Sequence, residues 1–101
     1  MYKSKLENES TTELFKAILS LDSIDDCYKF FEDITTIGEL KSITQRFEVA
    51  RRLKEGNTFN SIQNETRASS ATISRVNKCL QYGEGGYNLV LDKLGIKAKE
   101  D

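Results

Sequence analysis

Apolar residues recur at three- and four-residue intervals along most of this chain, and the recurrence restarts after capping residues. Nine polar, aperiodic residues come first. Ser10-Thr11-Thr12-Glu13 then has capping-box spacing and is followed by Leu14, Phe15, Ile18 and Leu19, which predicts a first helix over about 11–20. Ser23-Ile24-Asp25-Asp26 repeats the start signal ahead of Ile24, Cys27, Tyr28, Phe30, Phe31 and Ile34, a broad apolar face on a second helix. The third box, Thr36-Ile37-Gly38-Glu39, opens the longest helix, with Ile37, Leu40, Ile43, Phe47, Ala50 and Leu53 expected inward and Gly56 as its C-terminal cap.

Shorter elements follow. Thr58 to Thr66 predicts a fourth helix burying Phe59 and Ile62, and Ser69 caps a fifth over 69–80, in which Ile73, Val76 and Leu80 form one stripe. Ser70, Ala71, Ser74 and Lys78 fall on the opposite side of that helix. Three glycines within Gly83-Glu84-Gly85-Gly86 break the pattern, and a sixth helix over roughly 87–94 ends at Gly95. Alternation never persists long enough to predict a strand, so the fold class is all-α with six helices.

The chain has 101 residues, no proline and no histidine, with 31% of positions charged, a composition suited to one helix-rich domain. We delimit that domain as 10–95, with polar tails at 1–9 and 96–101. Wide apolar faces on three helices exceed what a chain near the lower size limit for a self-sufficient core should need, and this points to a homodimer. Cys27 and Cys79 have neither CxxC spacing nor a histidine partner, so they are expected as two small buried thiols rather than metal ligands. No apolar run reaches the ~20 residues of a membrane span and the N-terminus lacks an apolar signal core, so the expected location is the cytoplasm.

Net charge is −1, but its distribution carries more information than its sum. Residues 1–45 hold five Lys/Arg against nine Asp/Glu, whereas residues 46–80 hold seven against three. Cations gathered in one segment can form a phosphate-binding patch whatever the total.

That basic segment contains helix-turn-helix spacing over about 58–81: a short helix with Ile62, a break near Arg67-Ala68-Ser69, and a second helix whose Ile73 packs back. Small groups at Ser69, Ser70 and Ala71 would let the helix start enter a major groove about 12 Å wide. Its free N–H groups attract phosphate, Thr72 and Ser74 offer hydroxyls, and Arg67 and Lys78 can reach the backbone on either side. Arg51, Arg52 and Lys54, on the preceding helix, are further expected phosphate contacts. Arg67 stands where glycine is common and costs about 1 kcal/mol if held at positive φ. Gln63 and Thr66 also occupy positions that usually carry small or apolar residues. A helix-turn-helix-shaped protein-interaction module without DNA affinity is the alternative, and the placement of the cations favours double-stranded DNA.

The run "QRFEVARRLKEGNTFNSIQNETRASSATISRVNKCLQYGEGGY", residues 45–87, closely resembles the YerC/YecD-like branch of the Trp repressor superfamily. The resemblance extends upstream through "CYKFFEDITT" and "FKAIL" and covers about residues 14–94. It implies an intertwined helical dimer with two helix-turn-helix heads, and operator contacts on Ser70, Ala71, Thr72 and Ser74. It further implies an effector pocket in which Arg46 and Arg75 would sandwich a planar ligand, with Thr36 beside it. Val76 replaces a glycine of that pocket and Cys79 a serine, which argues against tryptophan. Arg46 and Arg75 would then bind a different, unidentified effector or pair with acidic neighbours as structural ions, or Arg75 would contact phosphate.

No histidine, phosphate-binding glycine loop, nucleophile–base pair or metal cluster supports an enzyme, and no cofactor motif is present. The expected activity is transcription regulation, as a dimeric repressor on an inverted repeat, with a moderate salt dependence.

Overall fold

The computed structural model describes residues 2–98. The helices are α1 (Glu9–Leu19), α2 (Ile24–Ile34), α3 (Ile37–Lys54), α4 (Phe59–Thr66), α5 (Ser70–Tyr82) and α6 (Gly86–Lys93). No strand occurs among the described residues. Residue 1 and residues 99–101 of the expected tails lie outside them.

Local capping chemistry sets most of the helix starts. Ser23, Thr58 and Ser69 each accept the backbone N–H three residues on, from Asp26, Ser61 and Thr72. At α3 the box is reciprocal: Glu39 N–H donates to Thr36 Oγ1 at 3.1 Å, and Thr36 N–H donates to Glu39 Oε1 at 2.8 Å. The Thr36 backbone bond, more than its hydroxyl, holds the Glu39 carboxyl below its ordinary range. The first helix departs from expectation. Asn8, not Ser10, is its N-cap, accepting Thr11 N–H at 2.8 Å, so α1 starts at Glu9, while Glu13 turns to Lys16 at 3.1 Å. Asparagine and serine cap about equally well, and the box spacing alone could not rank them.

Gly56 ends α3 as expected. At φ 93° it lets its own N–H reach Leu53 O at 3.0 Å and Asn57 N–H reach Arg52 O at 3.1 Å, a Schellman closure. Gly95, at φ 74°, closes α6 in the same way through Leu91 O and Asp92 O.

The chain divides into two compact units, up to Leu40 and from Lys41 onward. In the first, neither α1 nor α2 buries any residue. Leu19 is 84% exposed and Ile24 74%, and Phe15, Tyr28 and Ile34 are also exposed. Phe30 and Phe31, both half-buried, meet edge to face with centroids 5.5 Å apart.

The second unit has a core of Val49, Ala50, Ile62, Ala68, Ile73, Val76 and Leu91, with Phe47, Leu53, Leu80, Tyr87 and Ile96 packed around it. Fully burying an aliphatic side chain contributes about 1.5–3 kcal/mol, so Ile62, Ile73 and Leu91 dominate this cluster. Several inward assignments are corrected. Ile37, Ile43 and Phe59 are exposed, and Val49 replaces them in the core. The buried side of α3 lies toward its C-terminus, at Val49 and Ala50 with Leu53 packed beside them. Both cysteines are exposed free thiols, not buried ones. The Cys27 face of α2 is uncovered by its own unit, and Cys79 lies off the Ile73–Val76 stripe.

Between α4 and α5 the chain turns at Arg67, the only non-glycine residue at positive φ among those described (φ 63°). Its N–H closes on Gln63 O at 2.9 Å. Thr66, atypical for this motif, organises the turn. Its hydroxyl donates to Ile62 O at 2.7 Å and accepts the N–H of buried Ala68 at 3.2 Å, while Gln45 Nε2 donates to Thr66 O at 3.2 Å.

Thr66→Val strands the Ala68 N–H in the core and should lower unfolding free energy by about 1–3 kcal/mol. Arg67→Gly relieves the left-handed strain and should raise it by about 0.5–1 kcal/mol. Urea titrations followed by helical circular dichroism measure both, and a stabilising Thr66→Val would contradict this account of the turn.

Candidate nucleic-acid interface

The outward surface of α5 is fixed by what its inner side buries. Ile73 and Val76 are 1% exposed, so residues half a turn away must face solvent, and Ser70, Ala71, Ser74, Arg75 and Lys78 are all exposed. At the start of the helix, Ser69 Oγ accepts Thr72 N–H at 3.1 Å and donates to Thr72 Oγ1 at 3.1 Å. One of the two expected phosphate-binding hydroxyls, that of Thr72, is therefore engaged by the capping serine, and Thr72 is half-buried. Ser70 and Ser74 present the uncommitted hydroxyls. The resulting ridge is short, polar and narrow at its N-terminal end, with Arg75 and Lys78 further along and Arg67 at the turn.

The expected cations separate into two groups. Arg67, Arg75 and Lys78 are exposed and make no ion pair among the described residues. Arg51, Arg52 and Lys54 have partners. Arg51 forks onto Glu48 through Nη2 at 2.6 Å and Nε at 3.3 Å and reaches Glu55 through Nη1 at 3.0 Å, while Arg52 Nε donates to Glu48 at 2.8 Å. Lys54 Nζ donates to Asn88 Oδ1 at 2.7 Å and lies 3.5 Å from Asp92. Asn88 Nδ2 in turn donates to Leu80 O at 2.9 Å, so this lysine joins the end of α3 to α5 and α6. Sequence reasoning passed over Glu48, Glu55 and Asn88. The first two were detectable, because positions 48, 51, 52 and 55 stand at the three- and four-residue spacing of helical ion pairs. The arginine fork, above all Arg51, holds the Glu48 carboxyl below its ordinary value.

The residues of the expected effector pocket divide between the units. Thr36, in the first, is engaged in capping α3. In the second, Arg46 is half-buried and Arg75 exposed, Val76 lies inside the core, and Cys79 is exposed. Neither arginine makes an ion pair with an acid among the described residues. No group of His, Cys, Asp or Glu among those residues could hold a metal ion, and no helix is long and apolar enough to cross a membrane.

An all-helical chain with this turn and this exposed helix is of the helix-turn-helix DNA-binding regulator class. Comparison with known proteins gives the family. The Trp repressor protein family profile matches residues 9–95, and the chain belongs to that family. It is 50% identical over 94 residues to the uncharacterized protein YerC of Bacillus subtilis strain 168, spanning 93% of this chain and 90% of that one. A TrpR-like protein from Eubacterium eligens superposes with a TM-score of 0.89 at 50% identity, covering 94% of this chain and 98% of the other. A Staphylococcus aureus structure put forward as a Trp repressor gives the same TM-score at 43% identity, covering 94% and 95%.

The Glu48 cluster has a pH signature. Because its carboxyl titrates lower when folded, the unfolded chain binds a proton first as pH falls below the ordinary value of 4.5. The contribution is complete above that value and is lost as pH drops through the folded one. Thermal melts from pH 6 to pH 3 should show wild type more stable than Glu48→Gln at the upper end, with the gap closing on acidification. A gap that widens toward pH 3 would contradict the assignment.

Proposed function

We propose that this protein is a dimeric, sequence-specific transcriptional repressor that lays the N-terminal end of α5 into the major groove. One observation carries the reading: the exposed, small-residue start of α5, locked from behind by Ile73 and Val76 and from below by the left-handed turn at Arg67. Ser70, Ala71 and Ser74 are the residues closest in kind to base-edge and phosphate contacts, and Arg67, Arg75 and Lys78 supply positive charge with no ion pair among the described residues. Thr72 acts chiefly by holding the cap. The uncovered apolar faces of α1 and α2 support association of two copies. A dimer reads an inverted repeat with half-sites about 34 Å apart, the spacing general to dimeric helix-turn-helix proteins, Trp repressors included. Occupancy of such a site at a promoter excludes polymerase, hence repression, and the cytoplasm is the compartment this role requires.

Tryptophan is not the effector in this reading. Val76, buried against the core, occupies a position that an indole slot would need empty. An unidentified planar ligand between Arg46 and Arg75 is compatible with their having no acidic partner among the described residues.

Duplexes selected from a random library should carry inverted repeats, and light scattering should give twice the 11.5 kDa chain mass. Ser70→Ala and Ala71→Gly should change the preferred sequence, whereas Lys78→Ala and Arg67→Ala should weaken every duplex alike and lower the salt slope by about 1 each. A monomer at micromolar concentration, or equal losses from both groups, would refute the scheme. Calorimetric titration with tryptophan should give no saturable heat in the micromolar range; a stoichiometric isotherm would reverse that part.

A further inference from the structure

The outer face of α3 contains a stripe that the proposed DNA contact does not explain. Glu48, Arg51 and Arg52 of α3, with Glu55 directly after it, occupy one side, opposite buried Val49 and Ala50 and half-buried Leu53. Two carboxylates face two guanidinium groups, so the stripe is formally neutral. Every nitrogen of Arg51 is engaged, Nε and Nη2 by Glu48 and Nη1 by Glu55. Arg52 commits only Nε, leaving its terminal nitrogens unbonded among the described residues. One Glu48 oxygen, Oε1, serves both arginines, at 2.6 Å and 2.8 Å.

Pairs at this spacing are ordinary on a helix, but here they sit in a segment with a surplus of positive charge. A guanidinium fork suits a phosphate as well as it suits a carboxylate, and for Arg51 the carboxylate already occupies the fork. A phosphate approaching α3 must displace Glu48, or bind beside it and meet its negative charge. The cations left for the DNA backbone are then those on or beside α5.

We propose that Glu48 tunes DNA binding without touching DNA: by occupying Arg51 and Arg52 it withholds them from phosphate and keeps sequence-independent affinity low. The role rests on the DNA-binding reading above and adds to it. Discrimination between sites depends on how far specific binding exceeds non-specific binding, and non-specific binding is almost entirely phosphate neutralisation. Lowering the second term through an internal carboxylate sharpens the ratio while α5 stays unchanged. Glu48 is thus a positioning residue acting through the arginines, with Glu55 as the minor partner on Arg51.

The test uses the full-length protein and a mixed-sequence 30-base-pair duplex, with binding followed by fluorescence anisotropy over a series of salt concentrations. Glu48→Gln should bind about tenfold more tightly at the lowest salt and steepen the log–log salt slope by about 1–2, roughly one counterion per released arginine. Adding Arg51→Ala and Arg52→Ala to that variant should restore the wild-type slope, which loss of a purely structural ion pair would not do. Glu55→Gln, which frees only Arg51 Nη1, should give a smaller change in the same direction, and it carries the test if Glu48→Gln does not fold. Wild-type binding with an unchanged slope in the folded variant overturns this inference alone. A wild type that binds no duplex at any salt overturns the functional reading first, and this inference falls with it.

Discussion

The second unit depends on holding a residue that has a Cβ in the left-handed region between two helices. Few residues separate Thr66 from Ser70, and one of them must take positive φ for α5 to turn back onto the core. Arg67 does so at a local cost of about 1 kcal/mol, offset by burial of Ile62, Ala68, Ile73 and Val76 and by the bonds around Thr66. Inner and outer faces of a helix are not independent. Once Ile73 and Val76 point inward, Ala71, Ser74 and Lys78 have no choice but to point away, so the exposed ridge is a consequence of the core.

Electrostatics refine this picture, since formal charge overstates what a partner can meet. The segment 46–80 carries seven cations, yet Arg51, Arg52 and Lys54 are engaged by groups of α3 and α6. Positive charge without an acidic partner among the described residues lies on half-buried Arg46 of α3, at the turn and on α5. Pairing within the chain has moved the basic character of the segment toward the helix that the sequence singles out by its small residues.

What was legible in the sequence was mostly local. The Thr36–Glu39 box and the caps at Ser23, Thr58 and Ser69 involve bonds between residues three apart, so residue type and spacing suffice to find them. The choice between Asn8 and Ser10 was not legible, because both can cap and the pattern cannot weigh them. Which phase of α3 faces inward depends on where α4, α5 and α6 lie, and that placed Val49 inside and left Ile43 outside. Ala68 gave no signal because a lone alanine in a turn has no periodicity, although it is nearly inaccessible. The pairing of Arg51 and Arg52 was available from helical spacing, since positions 48, 51, 52 and 55 stand three and four residues apart.

Helices of eleven residues are marginal in water unless a face is covered, and neither α1 nor α2 covers one with a buried residue of its own. Their capping supplies about 1 kcal/mol at each N-terminus, too little to order them alone. Apolar surface as wide as that around Phe15, Leu19, Ile24 and Tyr28 therefore calls for a partner, and a second copy is the one that the proposed function provides. In that arrangement ordering of the first unit and pairing of two α5 ridges are a single event. Under the proposed function, stability would then depend on protein concentration, as it does for dimers whose monomers do not fold alone. The same dependence would restrict tight DNA binding to the assembled form, since a lone ridge reads only one half-site.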